Sequence, residues 1–215
     1  NSLDKAHKLL TDCKNFGTLP FAHSARAGFI AIILLKSCVR SGYLSPHRML
    51  EFQSSISTVA SELQYDLSSN MKDDDLIRKY GHLRPGTYDI NQTAYWENPQ
   101  FYFNRTYAKK KTKLSIRNFE FTKKEEEGFK KILDDLPTDI NSNSLINYIK
   151  YAIQAREWTK LQFTKNISTA LDLLVEYGKE YLDFTREEIG YMSYEDINNI
   201  RSGNVDKENI ATIVK

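Results

Sequence analysis

The sequence predicts a mostly α, multi-helix domain, and three observations carry that prediction. Apolar residues recur at steps of three and four through most of the 215 residues, the period of a helix with one buried face. Glycine (9) and proline (5) are scarce, which disfavours turn-dense all-β chains. Thr122 with Glu125, Thr185 with Glu188 and Ser193 with Asp196 each set a Ser/Thr three positions before an acid, the spacing of the capping box that opens helices.

The elements follow in order. Asp4 to Lys14 reads as a short helix, and Gly17-Thr18-Leu19-Pro20 as a connector with Pro20 at a first helical position. Phe21 to Arg40 is apolar nearly all round, which predicts a central helix ended by Ser41-Gly42. Ser45 before Pro46 is an N-cap followed by proline at N1. Met49, Phe52, Ile56, Val59, Leu63 and Leu67 then predict one amphipathic helix. Asp73 to Tyr80 is a further helix, with Gly81 as its C′ residue.

From about 82 to 121 the chain changes character and reads as one long irregular loop with room for a short hairpin. Its first part is built around Arg84-Pro85-Gly86, where Pro and Gly suit a type II turn. Its last part alternates in a β-like way at Leu114, Ile116, Phe119 and Phe121. Thr122 opens a helix to about Leu136, and Pro137 breaks the chain. Ser142 to about Tyr181 is one long helix, followed by short helices after Thr185 and Ser193, the second ending near Arg201. A helical pattern runs again from Asp206 to Lys215. With a pattern already under way at Leu3 and no initiator Met, the chain reads as one helical domain, 1–215, cut from a longer polypeptide.

Composition limits the function classes. Hydrophobic residues are 40% of the chain and aromatics 12%, enough for a folded core. Thirty basic and 28 acidic residues leave a formal charge of +2, so neither a nucleic acid nor a membrane is the expected partner. Cys13 and Cys38 are too few for a disulfide framework and fit a reducing cytoplasm. The longest apolar run, Ala27 to Leu35, falls short of the roughly 20 residues that span a bilayer and reads as a buried helix. No P-loop, GxGxxG, GxSxG, HExxH or CxxC pattern occurs, so no nucleotide device is expected within this chain.

Three constellations could carry chemistry. The first is Lys79 to Ile90, where a helix ends and His82, Arg84, Thr87, Tyr88 and Asp89 follow within eight residues. Such a loop can present an imidazole that titrates near neutrality beside a guanidinium suited to phosphate or carboxylate. The plainer alternative is that Arg84 pairs with Asp89 inside the loop and His82 caps the preceding helix. The second is His23 with Arg26, at i and i+3 on one helix face, and its plainer alternative is a solvent edge. The third is Gln100 to Lys124, basic and interleaved with Phe101, Tyr102, Phe103, Tyr107, Phe119 and Phe121. That pattern suits single-stranded nucleic acid, or a protein partner, and defines an alternative function as a self-contained binding module. A solvated face beside Glu125-Glu126-Glu127 is the plainer reading.

Two of these stretches carry a resemblance. Asp12 to Ala31 resembles the start of the central helical region of phosphoenolpyruvate-synthase-like proteins, relatives of the rifampin phosphotransferases and of pyruvate phosphate dikinase. Tyr80 to Ile90 resembles the family's YGHRGPGEIDI-type motif, with Leu83 inserted and Thr87-Tyr88 replacing Gly-Glu-type residues. Tyr95 to Pro99 and Phe184 to Ser193 are similar to segments further along. The resemblance implies a three-part machine: an ATP-grasp domain using ATP and Mg, a swivelling domain carrying a phosphohistidine, and this chain as the acceptor side, not catalytic alone. It implies that Arg84 neutralises the migrating phosphoryl group and His82 takes the acceptor's proton. His23, Arg26, Tyr80, Gly86, Tyr88 and Asp89 are then the implied binding residues for a small-molecule acceptor. Pyruvate, a sugar and a natural product remain open as that acceptor. No cofactor or metal is expected within the chain itself, and its partners are the other two domains of the same polypeptide.

Overall fold

A computed structural model describes residues 1–69, 71–106, 118–134 and 139–204. Among them the fold is mostly α, with no strand. The helices are α1 (Ser2–Asp12), α2 (Leu19–Arg40), α3 (Pro46–Ser55), α4 (Val59–Ser68), α5 (Asp73–Tyr80), α6 (Pro99–Tyr102), α7 (Lys123–Asp134), α8 (Ser142–Tyr177), α9 (Arg186–Gly190) and α10 (Tyr194–Arg201). Wider π turns occupy Cys13–Thr18 and Gly178–Leu182, and a 3-10 turn occupies Tyr95–Glu97.

Packing separates the 1–215 span into two compact units. One comprises Asn1–Thr18, Met71–Asn104 and Gln162–Lys215, and the other Leu19–Asn70 and Arg105–Leu161. The second, the α2 unit, has its core in Ala31, Leu35 and Cys38 of α2, Leu44, Phe52 and Ile56 around α3, Phe129 and Leu133 of α7, and Leu145, Ile149 and Ala152 of α8. Phe119 and Phe121 pack on Phe52, with ring centroids 5.4 and 4.8 Å away. A part-buried ion pair closes this corner. Arg48 donates from Nε to Glu125 Oε1 at 2.9 Å and from Nη2 to Oε2 at 3.0 Å. The Thr122 N–H donates to Glu125 Oε2 at 2.8 Å in the expected capping box.

Two expectations for this unit give way. The single helix over 46–67 is two helices, because Thr58 and Ser61 form a capping box that starts α4 afresh after Ile56. The short hairpin for which 82–121 leaves room would draw on residues 107–117, which lie outside the described residues, and 118–121 is irregular, in line with the reading of the loop. The apolar α2 is not central. Its buried residues are Gly28, Ala31, Leu35 and Cys38, whereas Phe29, Ile30 and Ile33 are 57, 50 and 56% exposed. Burial therefore follows one face of α2, although its composition is apolar on several.

The first, or loop unit, has its core in Leu3 and Ala6 of α1, Ala170 and Leu174 of α8, and Leu182, Phe184 and Ile189. The expected connector at 17–20 is replaced by the π turn Cys13–Thr18, which leads into α2 without a break. A Cβ on Gly17 would stand 2.8 Å from Phe163 Cβ, so glycine lets this turn approach α8. The end of α8 is closed by Asp183 in the left-handed region (φ 59°), whose N–H donates to the Gly178 carbonyl. The Thr185 and Ser193 capping boxes form as expected. The expected pattern at 206–215 and the end of the helix after Leu133 near Leu136 lie outside the described residues.

Candidate functional site

Within the loop unit, the chain leaves α5 at Gly81 and returns beside itself fifteen residues later. The Trp96 N–H donates to the Gly81 carbonyl, and the Tyr95 N–H to the Leu83 carbonyl, both at 2.9 Å. These bonds pin the two ends of the excursion together. Gly81 caps the end of α5 with a φ of −57°, and its N–H donates to the Ile77 carbonyl. Glycine is needed there for space: a Cβ would run into the Ile77 carbonyl oxygen and stand 3.1 Å from the Trp96 ring.

Arg84 holds the middle of the loop. Its side chain is wholly buried, and its N–H groups point at protein acceptors on every side. Nε donates to Ser168 Oγ at 2.9 Å, and Nη1 to the Gln92 carbonyl at 2.6 Å. Nη2 donates to the Ser168 carbonyl at 2.9 Å and forms an ion pair with Asp172 Oδ1. The other oxygen of Asp172 accepts the Trp96 indole N–H at 2.8 Å. One carboxylate on α8 thus fixes the loop's central arginine and the aromatic residue at its foot. A buried guanidinium needs this degree of pairing.

Glu97 forms the second anchor. Its Oε1 accepts the Ala94 N–H at 2.6 Å and lies 3.9 Å from Arg84 Nη1. Its Oε2 pairs with Arg186 at the start of α9. Arg186 also donates to the carbonyls of Ile90 at 2.9 Å and Gln92 at 3.3 Å. Arg84 and Arg186 therefore grip the same loop strand from two directions.

The tip of the loop is what this mount presents. Pro85, Tyr88 and Asp89 are exposed, with Gly86 and Thr87 half-buried. The expected type II turn is absent, because Gly86 does not take a positive φ. The turn closes instead between the Gly86 carbonyl and the Asp89 N–H at 3.0 Å. A Cβ on Gly86 would lie 2.9 Å from Asp89 Cβ, so close approach is the reason for glycine. Asp89 turns its carboxylate back to accept the Asn91 N–H at 2.9 Å. Partial burial, and then the neighbouring Cys13 thiol, raise the Tyr88 phenol above its ordinary pKa.

The expected site residues thus fall into three groups. Tyr80, His82 and Arg84 are buried at the foot and centre of the loop. Gly86, Tyr88 and Asp89 form its tip. His23 and Arg26 lie exposed on α2, in the other unit. Arg84 is paired, as the plainer alternative held, but with Asp172 and Glu97 rather than Asp89. Sequence reasoning missed Ser168 and Asp172, although the two stand at i and i+4 on one face of α8, polar positions in an apolar stretch.

The described ends of the basic, aromatic stretch use most of their rings internally. Tyr102 stacks on Tyr95 at 4.2 Å, and Phe119 lies under the Arg48 guanidinium at 4.1 Å, while Phe101 is exposed. Among the described residues no three His, Cys, Asp or Glu side chains gather in a way that could hold a metal ion. Compared with family models, curated proteins and solved structures, the chain shows no match.

Proposed function

We propose that this chain is the acceptor-side helical region of an ATP-dependent phosphotransferase that works through a phosphohistidine, as its motifs' resemblance to phosphoenolpyruvate-synthase-like proteins implies. The observation that supports this reading is the mounting of the motif-bearing loop. A wholly buried arginine with several protein acceptors holds a tip of Gly86, Thr87, Tyr88 and Asp89 toward solvent. Phosphoryl transfer depends mainly on positioning and electrostatics, and a loop held this firmly meets the positioning requirement.

The residue roles shift accordingly. Arg84 acts as a positioning residue, since a phosphoryl oxygen would have to displace Asp172 or a backbone carbonyl to reach it. Tyr88 and Asp89 meet the acceptor, whereas His82, buried at the loop's foot, is out of reach of an acceptor at the tip and does not keep the proton-accepting role. ATP and Mg belong to other parts of the machine, where they supply the activated phosphoryl group.

The test uses the full-length parent with β- and γ-labelled ATP in separate reactions. Acid-labile label from the β-phosphate on a histidine outside this chain supports the reading. Absence of phosphoenzyme with either label overturns it. Tyr88→Phe should leave phosphoenzyme formation intact and slow transfer to the acceptor.

A further inference from the structure

We propose that the outer face of α2 is a binding surface for an anionic lipid bilayer, with the helix lying along the membrane surface rather than crossing it. This goes beyond the phosphotransferase reading and does not depend on it.

The helical run Ser2–Arg40 has the length and composition of a membrane-crossing helix, yet only 17% of its most apolar window is buried. A core helix of similar composition is mostly covered. On α2 the uncovered residues share one face. Leu19, His23, Arg26, Phe29, Ile30, Ile33, Lys36 and Arg40 are all exposed, opposite the buried stripe of Gly28, Ala31, Leu35 and Cys38. Phe29, Ile30 and Ile33 occupy the middle of that face, with Arg26 before them and Lys36 and Arg40 after. No acid occurs anywhere in α2.

This arrangement fits the boundary between headgroups and acyl chains. Apolar side chains enter it, while long cationic ones reach back to anionic headgroups. The helix beside α2 supplies a further feature of such surfaces. Tyr148 is exposed on α8, and its hydroxyl donates to the Ala27 carbonyl of α2 at 3.2 Å. Tyr and Trp favour the membrane interface. Because Ala31, Leu35 and Cys38 are packed in the core of the unit, the helix remains on the protein while its other side meets lipid. A second copy docked through the same face would set cations against cations with no acid on the helix to meet them, which disfavours self-association. The cytoplasmic leaflet carries the anionic lipids such a face requires.

Co-sedimentation with vesicles tests the proposal, comparing phosphatidylcholine alone with phosphatidylcholine containing about 30 mol% phosphatidylserine. The chain should sediment with the anionic vesicles and be released as salt is raised. Ile33→Glu and Lys36→Glu sit at exposed positions, and circular dichroism checks that each remains folded. Each should weaken partitioning by roughly tenfold or more. Equal behaviour toward both vesicle types overturns the proposal, as does binding that both substitutions leave unchanged. A concentration-dependent dimer that Ile33→Glu dissociates, without vesicle binding, also overturns it and assigns the face to a second copy. If vesicles are not bound and the chain stays monomeric, lipid is excluded as the occupant and the proposal fails.

Discussion

Arg84 and Asp172 lie 88 positions apart and meet as an ion pair, with the arginine side chain wholly buried and the carboxylate held on α8. The pair joins a loop to a helix that local sequence gives no reason to associate. Removing the acid takes away the closer charge partner of a buried guanidinium and leaves Glu97 at 3.9 Å. Asp172→Ala should therefore cost about 3–5 kcal/mol of stability, read by urea denaturation. Replacing both residues, as Arg84→Met with Asp172→Leu, should cost less than the two single changes added together. A double variant as unstable as that sum would show that the pair does not act as a unit.

Gly81 is confined by its neighbours. Gly81→Ala pushes a methyl group into the Ile77 carbonyl and toward the Trp96 ring and should destabilise by about 1–3 kcal/mol. Gly203→Ala supplies a contrast, because its neighbourhood is open and only its φ of 69° opposes a side chain. Its cost should be near 1 kcal/mol. Thermal melts of the two variants, side by side, separate crowding from backbone conformation.

The Arg48–Glu125 pair predicts an acid limb in the stability profile. Hydrogen bonds from Arg48, aided by Thr122 and opposed by burial, hold the Glu125 carboxyl below its ordinary value of 4.5. The folded state binds this proton less readily than the unfolded state. The contribution is therefore complete above the unfolded value and is lost as pH falls through the lower folded one. Denaturation midpoints should fall on acidification below about pH 4.5, and Glu125→Gln should flatten that part of the curve. An unchanged slope in the variant would assign the acid limb to other carboxylates.

Both thiols should be slow to react in the native chain. Burial pushes Cys38 up to about 11 and raises Cys13 as well. At about pH 8 little thiolate is present at either position, and thiolate is the reacting form. A disulfide reagent should label both only after denaturant is added, with Cys38 the more protected of the two in the native state. Rapid labelling of Cys38 without denaturant would show that α2 opens from its core.

What was legible in the sequence was local. The bounds Asp73–Tyr80, the three capping boxes and the end of α10 at Arg201 rest on residues within a few positions of one another. The break between α3 and α4 was hidden because Ile56 and Val59 continue the apolar spacing across it, while Thr58 decides the matter by capping. The π turn was read as a connector because Gly17 and Pro20 signal a break, and the reason for Gly17 lies on Phe163, far along the chain. The same limit applied at the loop. The residues of its motif were identifiable as a group, but Asp89 was the only nearby acid to suggest for Arg84, and the acids that bind it came from α8 and the loop's far end. In α2, a composition apolar nearly all round predicts a central helix, and only the face of Gly28, Ala31, Leu35 and Cys38 is buried.

The foot of the loop, tied by Trp96 to Gly81 and by Tyr95 to Leu83, separates the mount from what it displays. Closing a loop at its base makes the entropy of the intervening chain only weakly dependent on length. Exposed tip positions such as Pro85 and Tyr88 can then vary while Arg84, Trp96 and Glu97 keep the frame. Such a frame is a socket, held by bonds made at its base and on α8 rather than by the tip it carries.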